Sequence, residues 1–556
     1  MHDHVRWRLD LGFLQRAVSS QALRPEALGP ALRRCCEHIS EKPASLTAFL
    51  ETLDAAALEG GITRAPRAFT ALSEAFAIFA GPHARPRGSA SSSTRAALPL
   101  HKLDSAVNLS ALVKALAHMR SAVLLTTTTT EDGGGGERSP SNEQLISMAE
   151  AYEAAASACV AACVATAAVD STVGEAAPSV GAWATVCAPA RVDLAGGWTD
   201  TPPICYDVGG RVVNLAILVN GTQPIGARSR RIAARLVRIT ARDGSEPVVL
   251  RQLADLADRT DPLARGALVK AVLVTLGVVD PDSSEELPSQ LDAAGGGLEI
   301  ELWSELPHGS GLGTSSILAA ALVVSVGAAA LNVRFGATAL AHAVLRVEQC
   351  LTTGGGWQDQ LGGCVGGAKL CFCPASLPLA VSCEKLALSA EAVGVLGAHL
   401  QLLYTGVTRL AKNLLQDVLR RWMLGRRAST DTIAGLVDTS RDMARALAAA
   451  DMCAAGGALA AYWEQKKSMC DAEPPAVARV LRTLYGRRLI YGAALTGAGG
   501  GGFLVMVTVE PHARQAVEAA VLEEIRDSDE RMVFYDIGVD ECGLDLSFEE
   551  PHDGNR

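Results

Sequence analysis

Ten residues, Pro307-His-Gly-Ser-Gly-Leu-Gly-Thr-Ser-Ser316, constrain the fold more than any other stretch of the chain. They lie between a strand-like run, Leu298 to Trp303, and an apolar helical run, Ser315 to Leu331. Glycines at alternate positions (Gly309, Gly311 and Gly313) open backbone dihedrals closed to other residues and let the main chain approach a ligand closely. The hydroxyls of Thr314, Ser315 and Ser316 stand where the helix begins. Free N–H groups there, with the positive end of the helix dipole, suit a phosphate. No lysine follows the last glycine, which excludes a Walker loop, and the spacing is not that of a dinucleotide site. A plain glycine turn capped by Ser or Thr is the alternative.

The chain around this loop has 556 residues, room for three or four folding units at about 150 residues each. With 49% hydrophobic and 20% charged residues it can build sizeable cores, which excludes disorder throughout. Fifty basic against sixty acidic residues give a net charge of -10. That balance argues against nucleic acid as a partner, so any anion must be held by a local site. The fourteen cysteines form no CxxC pair and read as thiols of a reducing compartment. Met1 to Ser20 mixes Asp3, Arg6, Arg8, Asp10 and Arg16 among apolar positions, unlike a signal peptide. Ile317 to Val333 comes nearest to a membrane span, but Ser325, Gly327 and Asn332 interrupt it and it reads as a buried helix. A cytoplasmic location with no membrane partner is the expectation; protein partners are not marked.

Residues 1–175 read as mainly helical, with periodic runs at Ser45 to Leu58, Ser73 to Ala80 and Glu143 to Ala168. Mobile loops are expected at Pro82 to Arg95 and Thr126 to Ser141. Cys35, Cys36 and His38 lack a second ligand pair at metal spacing and read as structural. Strands are expected at Ala184 to Cys187, Val212 to Val219, Ile232 to Thr240 and Leu298 to Trp303, and a second helix at Ala337 to Cys350. Beyond residue 375 come a strand at His399 to Tyr404, helices between Leu410 and Glu464, and a strand near Leu489. Another strand at Phe503 to Val509, a helix at Pro511 to Arg526 and a strand at Met532 to Val539 follow. The fold class is therefore α+β, with domains at 176–375 and 376–556 and an active site in the cleft between them.

Two further glycine-bearing motifs flank the Pro307 loop. One is Ala188-Pro-Ala-Arg-Val-Asp-Leu-Ala-Gly-Gly-Trp-Thr-Asp200, running on through Pro203 to Gly210; the other is Leu495-Thr-Gly-Ala-Gly-Gly-Gly-Gly502 before the apolar run Phe503 to Val509. These three motifs, in this order across Ala188 to Val509, resemble the GHMP family of small-molecule kinases (galactokinase, homoserine kinase, mevalonate kinase and phosphomevalonate kinase). The resemblance implies a two-domain fold with a ribosomal-protein-S5-like N-lobe and a ferredoxin-like C-lobe. Within the family the chain is most similar to the branch acting on L-fucose and bacterial heptoses. Arg191 to Pro203, Thr353-Gly-Gly-Gly-Trp-Gln-Asp-Gln-Leu-Gly-Gly363 and Tyr404-Thr-Gly-Val-Thr-Arg-Leu-Ala-Lys-Asn413 carry that likeness. Galactokinase-like chains have an acidic residue and a histidine where Gly197 and Trp198 stand, which argues against galactose. Relatives often fuse the kinase to an N-terminal guanylyltransferase. Residues 1–175 show no Gly-rich nucleotidyltransferase signature, so the chain reads as the kinase half or as a truncated longer chain.

What the resemblance implies is an ATP- and Mg2+-dependent sugar 1-kinase, with L-fucose as acceptor and β-L-fucose 1-phosphate as product. A heptose or L-arabinose kinase, or a catalytically silent sugar sensor on the same fold, is the rival. Asp359 takes the position of the catalytic base, with a helix-capping aspartate as the alternative. Arg191 matches the cation beside that base; a surface arginine is the alternative. Glu348 and Ser315 are the expected magnesium ligands, a solvated glutamate and a helix-capping serine being the alternatives. Pro307, Gly309, Ser310, Gly311, Leu312, Gly313, Thr314, Ser315 and Ser316 form the expected ATP phosphate cradle. Asp200 is expected to bind sugar hydroxyls, although Thr-Asp-Thr-Pro-Pro is also a turn former. Gly497, Gly499 and Gly500 would bring backbone near the substrate or simply form a hairpin-like turn before a buried strand, and Arg409 with Lys412 would face the transferred phosphate or simply begin a helix. Gly497, Gly499 and Gly502 fit GxGxxG, yet they precede a strand, so no dinucleotide site is expected.

Overall fold

The protein is described from a computed structural model covering residues 2–19, 28–81, 108–125, 140–307, 309–351, 354–407, 411–425, 427–526 and 531–550. The loop expected at Pro82 to Arg95, and nearly all of that at Thr126 to Ser141, lie outside these residues. The chain divides into two compact units, one of Met1–Thr166 with Gln416–Asp431, the other of Ala167–Leu415 with Thr432–Arg556.

The first unit is helical: His2–Ser19, Leu28–Glu41, Leu46–Ala80, Leu109–Leu125 and Asn142–Ala165. The runs expected at Ser45 to Leu58 and Ser73 to Ala80 lie on one long element that breaks at Gly61 (φ 64°). Pro66 follows five residues after that break. Alanines such as Ala65, Ala68, Ala149 and Ala155 let helices approach closely around Phe49, Phe69, Phe76 and Tyr152. Arg120 is buried with Asp54 (2.8 Å) and Tyr152 (2.9 Å) as its acceptors. Cys35 and Cys36 sit inside this core, and burial pushes the Cys35 thiol up to about 12. A thiol so held packs as a small hydrophobe. Among the described residues no His, Cys, Asp or Glu group is arranged to hold a metal by itself.

The second unit is α+β. Its strands, in chain order, are β1 Ser171–Val173, β2 Trp183–Ala188, β3 Ala190–Ala195, β4 Gly210–Val219, β5 Ile225–Ile232, β6 Val237–Ala241, β7 Val248–Leu250 and β8 Gly297–Ser304. They continue as β9 Val333–Phe335, β10 Ala368–Cys373, β11 Ser382–Lys385, β12 Leu400–Tyr404, β13 Ile490–Leu495, β14 Phe503–Thr508, β15 Val533–Tyr535, β16 Ile537–Val539 and β17 Asp545–Glu549. One sheet has the order β17-β2-β5-β8-β6-β7, a second β11-β10-β4-β16 with β3 also on β4, and a third β13-β14-β12-β15. Strands from the end of the chain thus return to early partners: β17 pairs β2 and β16 pairs β4.

The single strand expected at Ile232 to Thr240 is two strands. β5 runs antiparallel to β8 and β6 runs parallel to it on the other side, so residues 233–236 must carry the chain across. Both strands are rich in β-branched and long side chains, and that local pattern does not mark the crossing. The Thr314–Val326 helix packs on β2 and β5, and its apolar residues Ala319, Ala320, Leu322 and Val323 are fully buried. Thr314–Leu331 and Asn142–Ala165 are both long and apolar enough to cross a bilayer, yet 72% of each apolar window is buried within the protein.

Candidate active site

The Pro307 loop and the 497–502 turn are built against each other. Phe503 N–H donates to Ser310 O (2.9 Å), and a Cβ on Gly502 would stand 2.4 Å from the same oxygen. Gly311 has φ +74°, and a Cβ there would meet Thr496 O at 2.7 Å. Gly309 and Gly313 also take left-handed backbone. Gly313 is the last residue before the Thr314–Val326 helix, whose first N–H groups receive no side-chain cap. The loop therefore presents the open end of a helix, the arrangement that binds phosphate oxygens. Gly311→Ala is expected to raise the KM for nucleotide at least tenfold in steady-state kinetics, because strain and collision act together at the cradle.

Arg191 stands on β3, only 1% exposed, with its stem laid along Gly313 and Gly362, where any side chain would crowd it. Its guanidinium is a hub. Nε and Nη2 donate to Asp359 Oδ1 (3.1 and 2.7 Å), and Nη1 donates to Asp193 Oδ1 (3.0 Å) and Gly311 O (2.8 Å). Arg191 also donates its backbone N–H to Leu312 O (3.2 Å). One side chain thus ties the glycine loop to the carboxylate expected to act as base. Asp359 lies in the first turn of the Gln358–Cys364 helix and is 26% exposed, so it is both gripped and open to a ligand.

Gly354 to Gly356 explain how that helix begins here. A Cβ at Gly356 would lie 1.8 Å from Asp200 Oδ2, and one at Gly355 would lie 2.4 Å from Glu348 Oε2. Only glycine can thread between two carboxylates at such distances. Asp200 is 1% exposed; its Oδ2 accepts from Gln358 N–H (3.3 Å) and its Oδ1 has no hydrogen-bond partner. Burial, with repulsion from Asp359, pushes Asp200 up to about 7. Burial likewise pushes Glu348 up to about 8, repulsion from Asp359 and Asp200 adding to it. Three acidic groups therefore converge where a cation would relieve their mutual repulsion.

A pH dependence follows from Asp200. Between its ordinary 3.8 and its folded value near 7, the folded chain keeps a proton that the unfolded chain has lost. Stability from this group falls as pH rises through that window, by roughly 4 kcal/mol at most. Asp200→Asn is expected to flatten the slope and to resist denaturant better than the parent at pH 8. Identical pH slopes in chemical unfolding would contradict a buried, repelled carboxylate.

Some expected residues fall elsewhere. The hydroxyl donating to Glu348 is that of Ser316, while Ser315, the residue expected to share the metal, is exposed one position earlier. On a helix each residue turns about 100°, so the neighbouring serine faces another way. Gly497 reaches the Arg191 cluster, but Gly500 bonds back to Ala472 O (2.7 Å) and a Cβ on Gly499 would press on Ala472. Those two glycines shape the turn. Arg409 lies outside the described residues, as does the Lys412 side chain.

Three residues were missed: Asp193, Tyr462 and Lys466. Asp193 Oδ1 accepts from Gly497 N–H (2.7 Å), and its Oδ2 accepts from Tyr462 Oη (2.5 Å) and Lys466 Nζ (3.2 Å). A Cβ on Gly197 would stand 2.2 Å from Tyr462 Oη, so the acidic residue of galactokinase-like chains has no room here. Asp193 had a readable sign: it lies two positions from Arg191 on the same strand, hence on the same face. Lys466 and Tyr462, on the Met452–Met469 helix, had none.

Residues 283–367 match the GHMP kinases N terminal domain, and residues 437–527 match the GHMP kinases C terminal domain. The chain is 32% identical over 349 residues to the L-fucokinase/L-fucose-1-P guanylyltransferase of Bacteroides fragilis, covering 60% of this chain and 35% of that one. It is 30% identical over 361 residues to the bifunctional fucokinase/GDP-fucose pyrophosphorylase of Arabidopsis thaliana, covering 63% of this chain and 31% of that one. The chain spans about a third of the length of these curated relatives. A solved D-glycero-D-manno-heptose 1-phosphate kinase from Bacteriodes thetaiotaomicron aligns at 19% identity and a TM-score of 0.47, covering 66% of this chain and 100% of that one. Both domain matches lie in order along one chain, and the α+β unit that holds them has the GHMP kinase fold.

Proposed function

We propose that the protein is an ATP-dependent sugar 1-kinase that phosphorylates the anomeric hydroxyl of L-fucose to give β-L-fucose 1-phosphate. One observation carries the reading. Arg191 holds Asp359 at 2.7 Å while bonding the glycine loop at 2.8 Å, so a carboxylate and an open helix end share one site. Phosphoryl transfer asks little else of a protein than in-line positioning and charge. Asp359 would accept the acceptor's hydroxyl proton, and the guanidinium holds that carboxylate in place. The N–H groups after Gly313 would receive the triphosphate. Asp200, with a free buried oxygen, would orient a sugar hydroxyl.

The residues also fit magnesium. Glu348 with the Ser316 hydroxyl offers the sparse oxygen set that this ion takes beside phosphates, and burial raises both Glu348 and Asp200. When bound, the ion supplies positive charge against the phosphate oxygens. All fourteen cysteines are thiols, which suits a cytoplasmic setting.

The two fucokinase relatives at 32% and 30% identity support L-fucose over other acceptors. Incubation with ATP, magnesium and a panel of sugars tests the assignment, with sugar phosphate followed by 31P NMR. L-Fucose is expected to turn over fastest. Turnover of a heptose or of L-arabinose with none of fucose would remove the substrate assignment, and no turnover of any sugar would favour a silent sensor.

A further inference from the structure

We propose that Lys466 is a positioning residue for phosphoryl transfer: acting through Asp193, it fixes the Arg191 guanidinium against Asp359 and clamps the Gly497 turn onto the Gly311 loop. This inference rests on the kinase reading above. Four side chains form an alternating row of charge, Lys466, Asp193, Arg191 and Asp359, joined by contacts of 3.2, 3.0 and 2.7 Å. The first three are at most 1% exposed.

The two groups at the buried end of the row, Lys466 and Asp193, are fully used. The Lys466 ammonium has three protons, and it donates to Asp193 Oδ2, Leu495 O (2.9 Å) and Gly497 O. Asp193 accepts from Arg191, Gly497 N–H, Tyr462 and Lys466. Burial alone would push this carboxylate up, but Lys466 and Arg191 hold it below its ordinary value. Gly497 is thus gripped at both ends, its N–H by Asp193 and its carbonyl by Lys466. A Cβ on Gly497 would lie 2.9 Å from Gly311 O, so this grip sets the seat of the phosphate loop.

The helix that carries Lys466 is itself fixed tightly. Gly456 and Gly492 bring the Met452–Met469 helix onto β13 so closely that a Cβ at Gly492 would stand 1.8 Å from Gly456 O. The ammonium accordingly arrives at a fixed depth. Without it, Asp193 has one cation left, Arg191, which also serves Asp359. Buried unpaired charge is costly, so the guanidinium would turn toward Asp193 and release its second nitrogen from Asp359. A displacement of about 1 Å at such a site costs on the order of 100-fold in rate.

Lys466→Met is expected to lower kcat about 100-fold per nucleotide-binding site, with KM for sugar changed less than threefold. The double variant Asp193→Asn with Lys466→Met removes both charges together, so it leaves no orphaned ion and guards against misfolding. If Lys466 acts through Asp193, this double variant is no slower than either single one, whereas independent roles would multiply. Full kcat per site in Lys466→Met, or multiplied losses in the double variant, would overturn the proposal. Crystal structures of the parent and Lys466→Met read the positioning without any sugar. An unchanged Arg191–Asp359 contact and an unmoved Gly497 turn would overturn the proposal even if the acceptor were not a sugar.

Discussion

Asp359→Asn is expected to lower kcat by about 10²–10⁴ while nucleotide affinity stays within a few fold. The substitution is nearly isosteric, and its amide oxygen can still accept from Arg191, whose fork now reaches Oδ1 at 3.1 and 2.7 Å. Only the capacity to take a proton is removed. The phosphate cradle is built from backbone between Gly309 and Ser316, so it does not depend on that carboxylate. Sugar phosphorylation by coupled assay and nucleotide binding by fluorescence titration separate the two effects. Undiminished turnover would hand the base role to another group or to charge alone.

Arg191→Met has the larger structural consequence. The guanidinium lies between Asp193 and Asp359 and is 1% exposed, so its loss leaves Asp193 with Lys466 as its one paired cation and frees Gly311 O. Removing one partner of a buried ion pair costs about 3–5 kcal/mol. Activity should fall at least as far as in Asp359→Asn, because the base loses its orientation and the loop its tether. Arg191→Lys keeps the charge but not the fork, and one ammonium cannot reach Asp359, Asp193 and Gly311 together. It is therefore expected to recover stability without recovering kcat. Chemical unfolding beside steady-state kinetics shows the split, and a fully active lysine variant would contradict the hub.

Much of this was legible because glycine and charge speak locally. The Pro307 loop announced a turn into a helix, and the helix starts at Thr314, one residue before the expected position. The Ala337–Cys350 helix has the expected ends, since its apolar spacing is unbroken from Ala339 to Val347. Gly354 to Gly356 marked a break before Asp359, and the reason appears only in space, where Asp200 and Glu348 flank the chain.

What stayed hidden is non-local. Nothing near Ile537 or Asp545 says that these strands pair with β4 and β2, more than 300 residues away. Lys466 sits in Gln465-Lys-Lys467, and a lysine there reads as a solvated last turn. Lys467 does pair with Glu464 near the surface, whereas Lys466 turns fully inward. The hydroxyl that meets Glu348 is that of Ser316, one residue beyond the expected Ser315, and spacing along a sequence does not give helical phase.

The most direct measurement is a crystal structure with a non-hydrolysable ATP analogue, magnesium and L-fucose. The γ-phosphate is expected on the N–H groups between Gly309 and Ser315, with the anomeric hydroxyl within hydrogen-bond reach of Asp359. A nucleotide bound away from that loop, or a sugar whose anomeric oxygen faces away from Asp359, would contradict the assignment.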